Sequence, residues 1–397
     1  MKKTTLFLIL LISFAFFLNF SKLPANVCHG ENDNETLNEN VEKIVEDIDF
    51  SSLDEYLTNC DFNYNKLTAK EFITEIIKGN ISLDFESVTN FIFSIITSNI
   101  KSYLSVLLVI LTIILLCFFF DKIKPDGKQN GTGNIIYFVC FSIVVAMIIR
   151  LSGGVINDSY KAMQNMQKQM SIVFPIMLTL VLSLGATGTA AALSPLTLLL
   201  SNIVSSIFLY CLVPIFTVVF VLSILNNISN KTKFTKLIDF FNTLFKYILG
   251  ITLGVYFFFF SVQGITAGMS DGVSLKAARY AIKNYVPMLG GYVSEGIDIV
   301  KIGGYLVKNS VGIIACILIF GSTVAPIIGI AIFSLALKVL AGILEPLGET
   351  KSVEILSGVG KSFKLLLTCL LVILCMYFVV IIFIISSVSG VLVWEIF

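Results

Sequence analysis

The sequence predicts an all-α polytopic membrane protein, and three observations carry that reading. Hydrophobic residues make up 56% of the 397 and charged residues only 13%, about half the share of a water-soluble domain. Tyr103–Phe120, Ser171–Leu225, Tyr247–Ser270, Asn309–Leu337 and Leu365–Trp394 contain no charged residue at all. Backbone polar groups in lipid must be satisfied within their own segment, so runs of this length are helices.

The elements follow in chain order. Lys2-Lys3 ahead of the apolar run Thr4–Phe20 reads as a signal sequence over 1–30, with an uncleaved anchor helix as the alternative. Residues 31–98 form an acidic extracytoplasmic region. Glu31 to Asp61 carries eleven Asp or Glu against the single Lys43. Spacings of three and four among Leu37, Val41, Ile44, Val45 and Ile48 predict short amphipathic helices there. Phe72 to Ile100 continues as increasingly apolar helix and delivers the chain to a membrane domain over 99–397.

Within that domain Tyr103–Phe120 and Ile135–Leu151 are the first two spans. They are joined by a lysine-bearing turn around Pro125-Asp126-Gly127. Gly153–Met170 then reads as an amphipathic polar helix with a methionine stripe, Met163, Met166 and Met170. The 55-residue uncharged run Ser171–Leu225 is too long for one crossing. Gly185-Ala-Thr-Gly188 and Ser194-Pro195 divide it, either into two full spans or into a re-entrant hairpin and one span. The total is therefore six or seven spans. Charge bias favours six. With an external N-terminus and 171–195 dipping into the membrane, eleven basic loop residues fall inside and seven outside. Lys231–Asp239 and Lys351–Lys364 are then cytoplasmic, and Ser261–Gly312 is exterior.

An internal repeat is suggested over about 156–264 and 268–390. Pro175 and Pro214 are separated by 39 residues, as are Pro287 and Pro326. Each unit runs from an amphipathic helix through a Pro/Gly-broken segment to a proline-containing span, a lysine-bearing loop and a final span. Spacing alone does not establish the repeat, but broken helices in corresponding places point to a translocation or substrate site in membrane proteins.

The polar, glycine-rich block Ser261–Gly312 between the apolar runs is the main candidate site. Lys276, Arg279 and Lys283 share one helical face, and Pro287 breaks that helix. Gly303-Gly304 allows a sharp turn or close helix contact. With Gln263, Asp271, Lys308, Asn309 and, outside the block, Pro175, these are candidate conduit or partner-docking residues. No catalytic, cofactor-binding or metal-ligating residue is expected. His29 is the single histidine, so histidine-based acid–base or zinc chemistry has nothing to build on. Gly358-Val-Gly-Lys-Ser362 lacks the leading glycine of a phosphate loop, because Ile355 stands there. A net charge of +1 with no basic tail gives no footprint for nucleic acid.

Ser261-Val-Gln-Gly264, Asp271-Gly272-Val273, Asn284-Tyr-Val-Pro287 and Leu306-Val-Lys-Asn309 with Gly312 resemble the stage III sporulation protein AE family. Glu345-Pro-Leu-Gly348 and Gly360-Lys-Ser362 fit the same resemblance, which covers the layout of the whole chain. It implies a non-enzymatic subunit of a channel complex that supports forespore development and late forespore gene expression. The place implied is the mother-cell membrane surrounding the forespore. The partners implied are membrane lipid, other subunits of the stage III sporulation A-operon complex and a forespore-side partner. The rival readings are a stand-alone secondary transporter of a small solute and a membrane scaffold that recruits partners.

Overall fold

The computed structural model describes residues 41–59, 68–78, 85–122, 131–228, 233–285, 290–347 and 350–393. For 264–285, 290–301 and some shorter helical stretches it describes the backbone course alone. The signal sequence expected over 1–30 and Pro287 lie outside the described residues. The described elements are helices and turns, as the uncharged runs require.

Three short helices open the described chain: α1 (41–47), α2 (Ser51–Asn59) and α3 (Ala69–Ile77). Asp49 starts α2 by accepting hydrogen bonds from the Ser51 backbone and hydroxyl. These bonds, the hydroxyl's first, hold its carboxyl below the usual aspartate value. A capping box starts α3. The Glu71 N–H donates to Thr68 Oγ1 at 3.3 Å and the Thr68 N–H to Glu71 Oε2 at 2.8 Å, satisfying two otherwise unpaired donors. Phe50, Leu53, Phe72 and Ile73 are buried, and they seat α2 and α3 on the longer helices that follow.

Those helices are α4 (Phe85–Lys122), α5 (Gly131–Ser183), α6 (Thr187–Ile207), α7 (Val213–Ile228), α8 (Thr235–Tyr285), α9 (Gly290–Leu344) and α10 (Thr350–Val393). Among the described residues, six helical segments are long and apolar enough to cross a membrane: Ile92–Leu116, Phe138–Ser183, Leu196–Asn227, Thr235–Gln263, Ile302–Leu344 and Lys351–Ser386. The protein is thus an all-α polytopic membrane protein.

Side-chain contacts fix how the helices run. A Cβ on Gly304 would strike Leu184, and one on Gly312 would meet Met177, so α5 and α9 are antiparallel. Ser334 on Gly360 and Lys308 on Ile385 make α9 and α10 antiparallel. Ser205 on Tyr377 and Ser223 on Ser362 run α6–α7 against α10. Tyr256 on Met376 and Phe260 against Phe383 set α8 parallel to α10. The helix ends flanking 229–232 and 348–349 therefore share one end of the bundle. The hairpin of α5 and α6 turns at the other, beside Gly304.

Two features differ from the sequence-based expectation. First, Gly153–Met170 is not a helix of its own but part of one continuous helix over 131–183. Residues 171–183 continue the same helix as 138–151, and the turn falls at Leu184–Ala186. Gly185 takes φ 75° there, a left-handed conformation that only glycine adopts at low cost. Second, Ser194-Pro195 does not interrupt α6. The irregularity comes later, as a π-helical turn at Phe208–Leu212. It widens the backbone just before Pro214, whose ring would otherwise strike the carbonyl four residues back. The polar block Ser261–Gly312 follows the expectation of a helix bearing Lys276, Arg279 and Lys283: it is largely the adjoining ends of two long helices, α8 and α9.

The helices exceed what a bilayer needs. At ~1.5 Å per residue α5 and α9 are each about 80 Å long, against a hydrocarbon core of ~30 Å. Their ends must therefore project beyond it or tilt strongly through it.

Candidate functional site: a buried polar seam on α10

α10 is the most buried of the membrane-length helices. Of its apolar window 67% is buried, the highest share among the six membrane-length segments. Polar contacts meet it along nearly its whole length. Near its start, Asn227 Nδ2 of α7 donates to the Glu354 carbonyl at 3.1 Å. Ser334 Oγ of α9 donates to the Gly360 carbonyl at 2.7 Å. The Ser223 and Ser362 hydroxyls pair at 3.0 Å. Further along, the Tyr256 hydroxyl of α8 donates to the Met376 carbonyl at 2.6 Å, and Ser205 of α6 bonds the Tyr377 hydroxyl.

The seam explains Gly358-Val-Gly-Lys-Ser362. A Cβ on Gly360 would lie 3.3 Å from the Ser334 carbonyl oxygen, and one on Gly358 would lie 3.2 Å from Asn227 Nδ2. Small residues let helix backbones approach closely in a membrane, and hydroxyls then bond across the gap. The segment is a helix-packing surface and not a phosphate cradle.

Lys308 closes the far end of the seam. It is fully buried. Its Nζ donates to the Ile385 carbonyl at 2.8 Å and stands 5.3 Å from the centre of the Tyr305 ring. No carboxylate among the described residues contacts it. Gly304 and Gly312 bracket it one turn either way, where α9 presses against Leu184 and Ile385. Glycine at both positions lets the three helices close over the lysine. A lysine at a helix centre in lipid costs about 3 kcal/mol by insertion scales, and one carbonyl and one ring offset part of that. Beside it, Asn309 Oδ1 is buried without a hydrogen-bond partner.

A second polar cluster lies between α5, α9 and α2. Gln169 Nε2 lies within hydrogen-bonding distance of the Tyr56 hydroxyl at 2.8 Å, the Leu318 carbonyl at 3.2 Å and Ser322 Oγ at 3.2 Å. Pro326, four residues beyond Ser322, lies inside α9 and leaves the Ser322 carbonyl without its usual helical donor. Gln169 Oε1 is itself buried and unpartnered. Tyr56 thus pins the acidic region onto the bundle beside a proline-disturbed turn.

The other candidate residues fall in different places. Gln263 of α8 is buried and accepts from Thr197 Oγ1 of α6 at 3.2 Å. Asp271, Lys276, Arg279 and Lys283 stand on the last turns of α8, whose helix ends at Tyr285 ahead of Pro287, with only the backbone described. Pro175 lies on an exposed face inside the continuous helix α5. Thr179 Oγ1 donates to its carbonyl at 2.7 Å. The structure therefore joins Lys308 to α10 and Gln263 to α6 as separate contacts. Sequence reasoning missed Gln169, Tyr56, Tyr256 and Tyr377. For Gln169 a signal existed: an amide on the buried face of the methionine stripe with Met166 and Met170.

A profile of the stage III sporulation protein AE family matches residues 67–388. The chain is similar to the Stage III sporulation protein AE of Bacillus subtilis (strain 168), at 22% identity over 356 residues, 89% of each chain. No solved structure matches. The profile takes in all six membrane-length segments and the whole seam on α10, and on that match the chain belongs to the stage III sporulation protein AE family.

Proposed function

We infer that this protein is a non-enzymatic, multi-pass subunit of a sporulation channel complex. It resides in the mother-cell membrane around the forespore and supports forespore development and late forespore gene expression. Its partners in this reading are the other membrane subunits of the stage III A-operon complex and a forespore-side protein. The supporting observation is Lys308. A fully buried cation with no carboxylate in contact among the described residues is unfavourable in a membrane bundle, and ionisable groups in such places commonly mark a pathway or a switch. The family motif Leu306-Val-Lys-Asn309 carries it.

The test replaces Lys308 with Met, which has similar length and no charge, in a spore-forming host that depends on this protein. Spore yield and late forespore reporter activity fall while the amount of membrane-inserted protein stays normal or rises. Normal sporulation with K308M removes the main support for this reading. Charge reversal of Lys276, Arg279 and Lys283 together tests the docking face on α8 in the same host. Spores are lost at a normal protein level, and equal loss of both would assign that face to folding.

A further inference from the structure

The middle of α5 carries a polar stripe between apolar ends. Arg150, Gly154, Asn157, Lys161, Asn165 and Lys168 are exposed and recur at three and four residues, which places them along one helical face. At ~1.5 Å per residue the stripe is about 27 Å long, close to the ~30 Å of a hydrocarbon core. The opposite face, with Ser159, Met163, Met166 and Met170, is buried in the bundle. The stripe's own face turns apolar on either side, exposing Val139 and Ile143 before it and Leu182 after it. The polar residues therefore occupy the centre of the membrane-length segment Phe138–Ser183 and not its ends.

Other helices expose apolar side chains at the same level. Gln169 lies against Leu318 and Ser322, so in the antiparallel pair the stripe runs level with the turns of α9 from Ser322 towards Leu337, which carry no charge. Three contacts carry that level across the bundle. Tyr103 of α4 packs on Phe333 with ring centres 5.5 Å apart, Ser334 bonds the Gly360 carbonyl of α10, and Ser362 pairs with Ser223 of α7. Within two residues of those contacts Leu104, Leu335 and Val221 are exposed. Lipid suits these faces. It does not suit the stripe, because ionisable groups at membrane depth face a protein interior or water. Arg150, Lys161 and Lys168 are basic, and the one carboxylate of α5 is Asp158 beside them. Direct contact between two such stripes would set cations against cations, so facing stripes need water between them. Their excess positive charge favours anions in that water.

We propose that the Arg150–Lys168 face of α5 lines a water-filled passage for small anionic solutes, closed by further copies of this chain whose α5 stripes turn inward and whose apolar faces meet lipid. Cyclic symmetry achieves this with one repeated contact. The proposal deepens the channel reading and rests on it, but its test reads water, charge and copy number instead of spore yield, so either can fail without the other.

The test uses the full-length protein in phosphatidylcholine vesicles, with single substitutions N157C and N165C on the stripe and L335C and V221C on the apolar faces. Intact mass counts the methanethiosulfonate adducts that each variant gains over the parent. N157C and N165C react about tenfold faster than L335C and V221C, because the reactive thiolate forms in water and not in an apolar setting. At N165C the anionic ethylsulfonate reagent outpaces the cationic ethylammonium reagent by about fivefold relative to a free thiol, a scale set by a few nearby charges. K161Q/K168Q in the same background removes that preference and K161R/K168R keeps it. Should K161Q/K168Q not insert, K168Q alone carries the comparison with a smaller change. A bifunctional maleimide joins N165C chains to one another and leaves L335C chains single. Stripe cysteines as slow as L335C overturn the passage. A reagent preference that K161Q/K168Q does not change overturns the anion assignment. Fast labelling without cross-linked copies makes another protein the facing wall and overturns the ring of copies.

Discussion

α4 and α10 are both long apolar helices, 38 and 44 residues, yet they belong to the bundle on different terms. Only 17% of the apolar window of α4 is buried, against 67% for α10. The polar side chains of α4 bond back to their own helix, as Thr97 does to the Phe93 carbonyl and Thr112 to that of Leu108. α10 instead receives bonds from α6, α7, α8 and α9. Lipid is as apolar as leucine, so hydrophobicity does not decide which helix is central. Small residues and crossing hydrogen bonds do.

The comparison breaks most readily at Gly312. A leucine there must displace Ile385 and Met177, and G312L is expected to cost about 3 kcal/mol, at the upper end for overpacking. Gly153 has open space around its Cβ position, so G153L is expected to stay within about 0.5 kcal/mol. Equilibrium unfolding in mixed micelles measures both, and equal effects would remove the distinction between packed and open faces.

Hydrogen bonds give the next smaller effect. Y256F deletes the bond to the Met376 carbonyl at a cost of about 1 kcal/mol. T112V on α4 removes only a bond to its own helix and is expected to fall within about 0.5 kcal/mol of wild type. The same unfolding series reads both, and a larger loss for T112V would show that α4 is held by more than apolar contact.

The smallest effect extends the comparison to the acidic region. The Thr68 backbone N–H, then its hydroxyl, hold the Glu71 carboxyl below its ordinary value of 4.5. A carboxyl depressed in the folded state stabilises fully above its unfolded value, and loses that contribution as pH falls through the folded one. Protease cleavage within 69–77 of the intact protein is expected to rise below about pH 4.5, and E71Q is expected to show raised cleavage already at pH 7. A bundle proteolysis pattern that does not change over the same range separates the cap from general acid unfolding.

The membrane helices were legible in the sequence because charge is excluded from lipid. Tyr103–Phe120, Tyr247–Ser270 and Asn309–Leu337 each fall within one helix, while Ser171–Leu225 is shared among α5, α6 and α7. The bend was legible in part. Gly185-Ala-Thr-Gly188 marked it, and Gly185 makes the turn with its positive φ, whereas α5 absorbs Pro175 on an exposed face and α6 runs straight through Ser194-Pro195. Lys308 was visible through a family motif rather than through charge spacing. Its acceptor was not, because a backbone carbonyl such as that of Ile385 leaves no mark on residue type. The contact of Tyr56 with Gln169 was hidden for a different reason: it joins regions 113 residues apart whose compositions say nothing of each other.

The Lys308 bond also imposes an order on biosynthesis. The lysine is synthesised 77 residues ahead of the carbonyl that receives it. α9 therefore enters the membrane carrying an ammonium whose acceptor has not yet been made. Until α10 inserts, that charge must stay at the interface, in water or on an insertion chaperone, so the last helix acts as the closing piece of the bundle. A nascent chain stalled within α10 would remain unlocked at this point, which gives the cell a chemical difference by which to distinguish finished from unfinished protein.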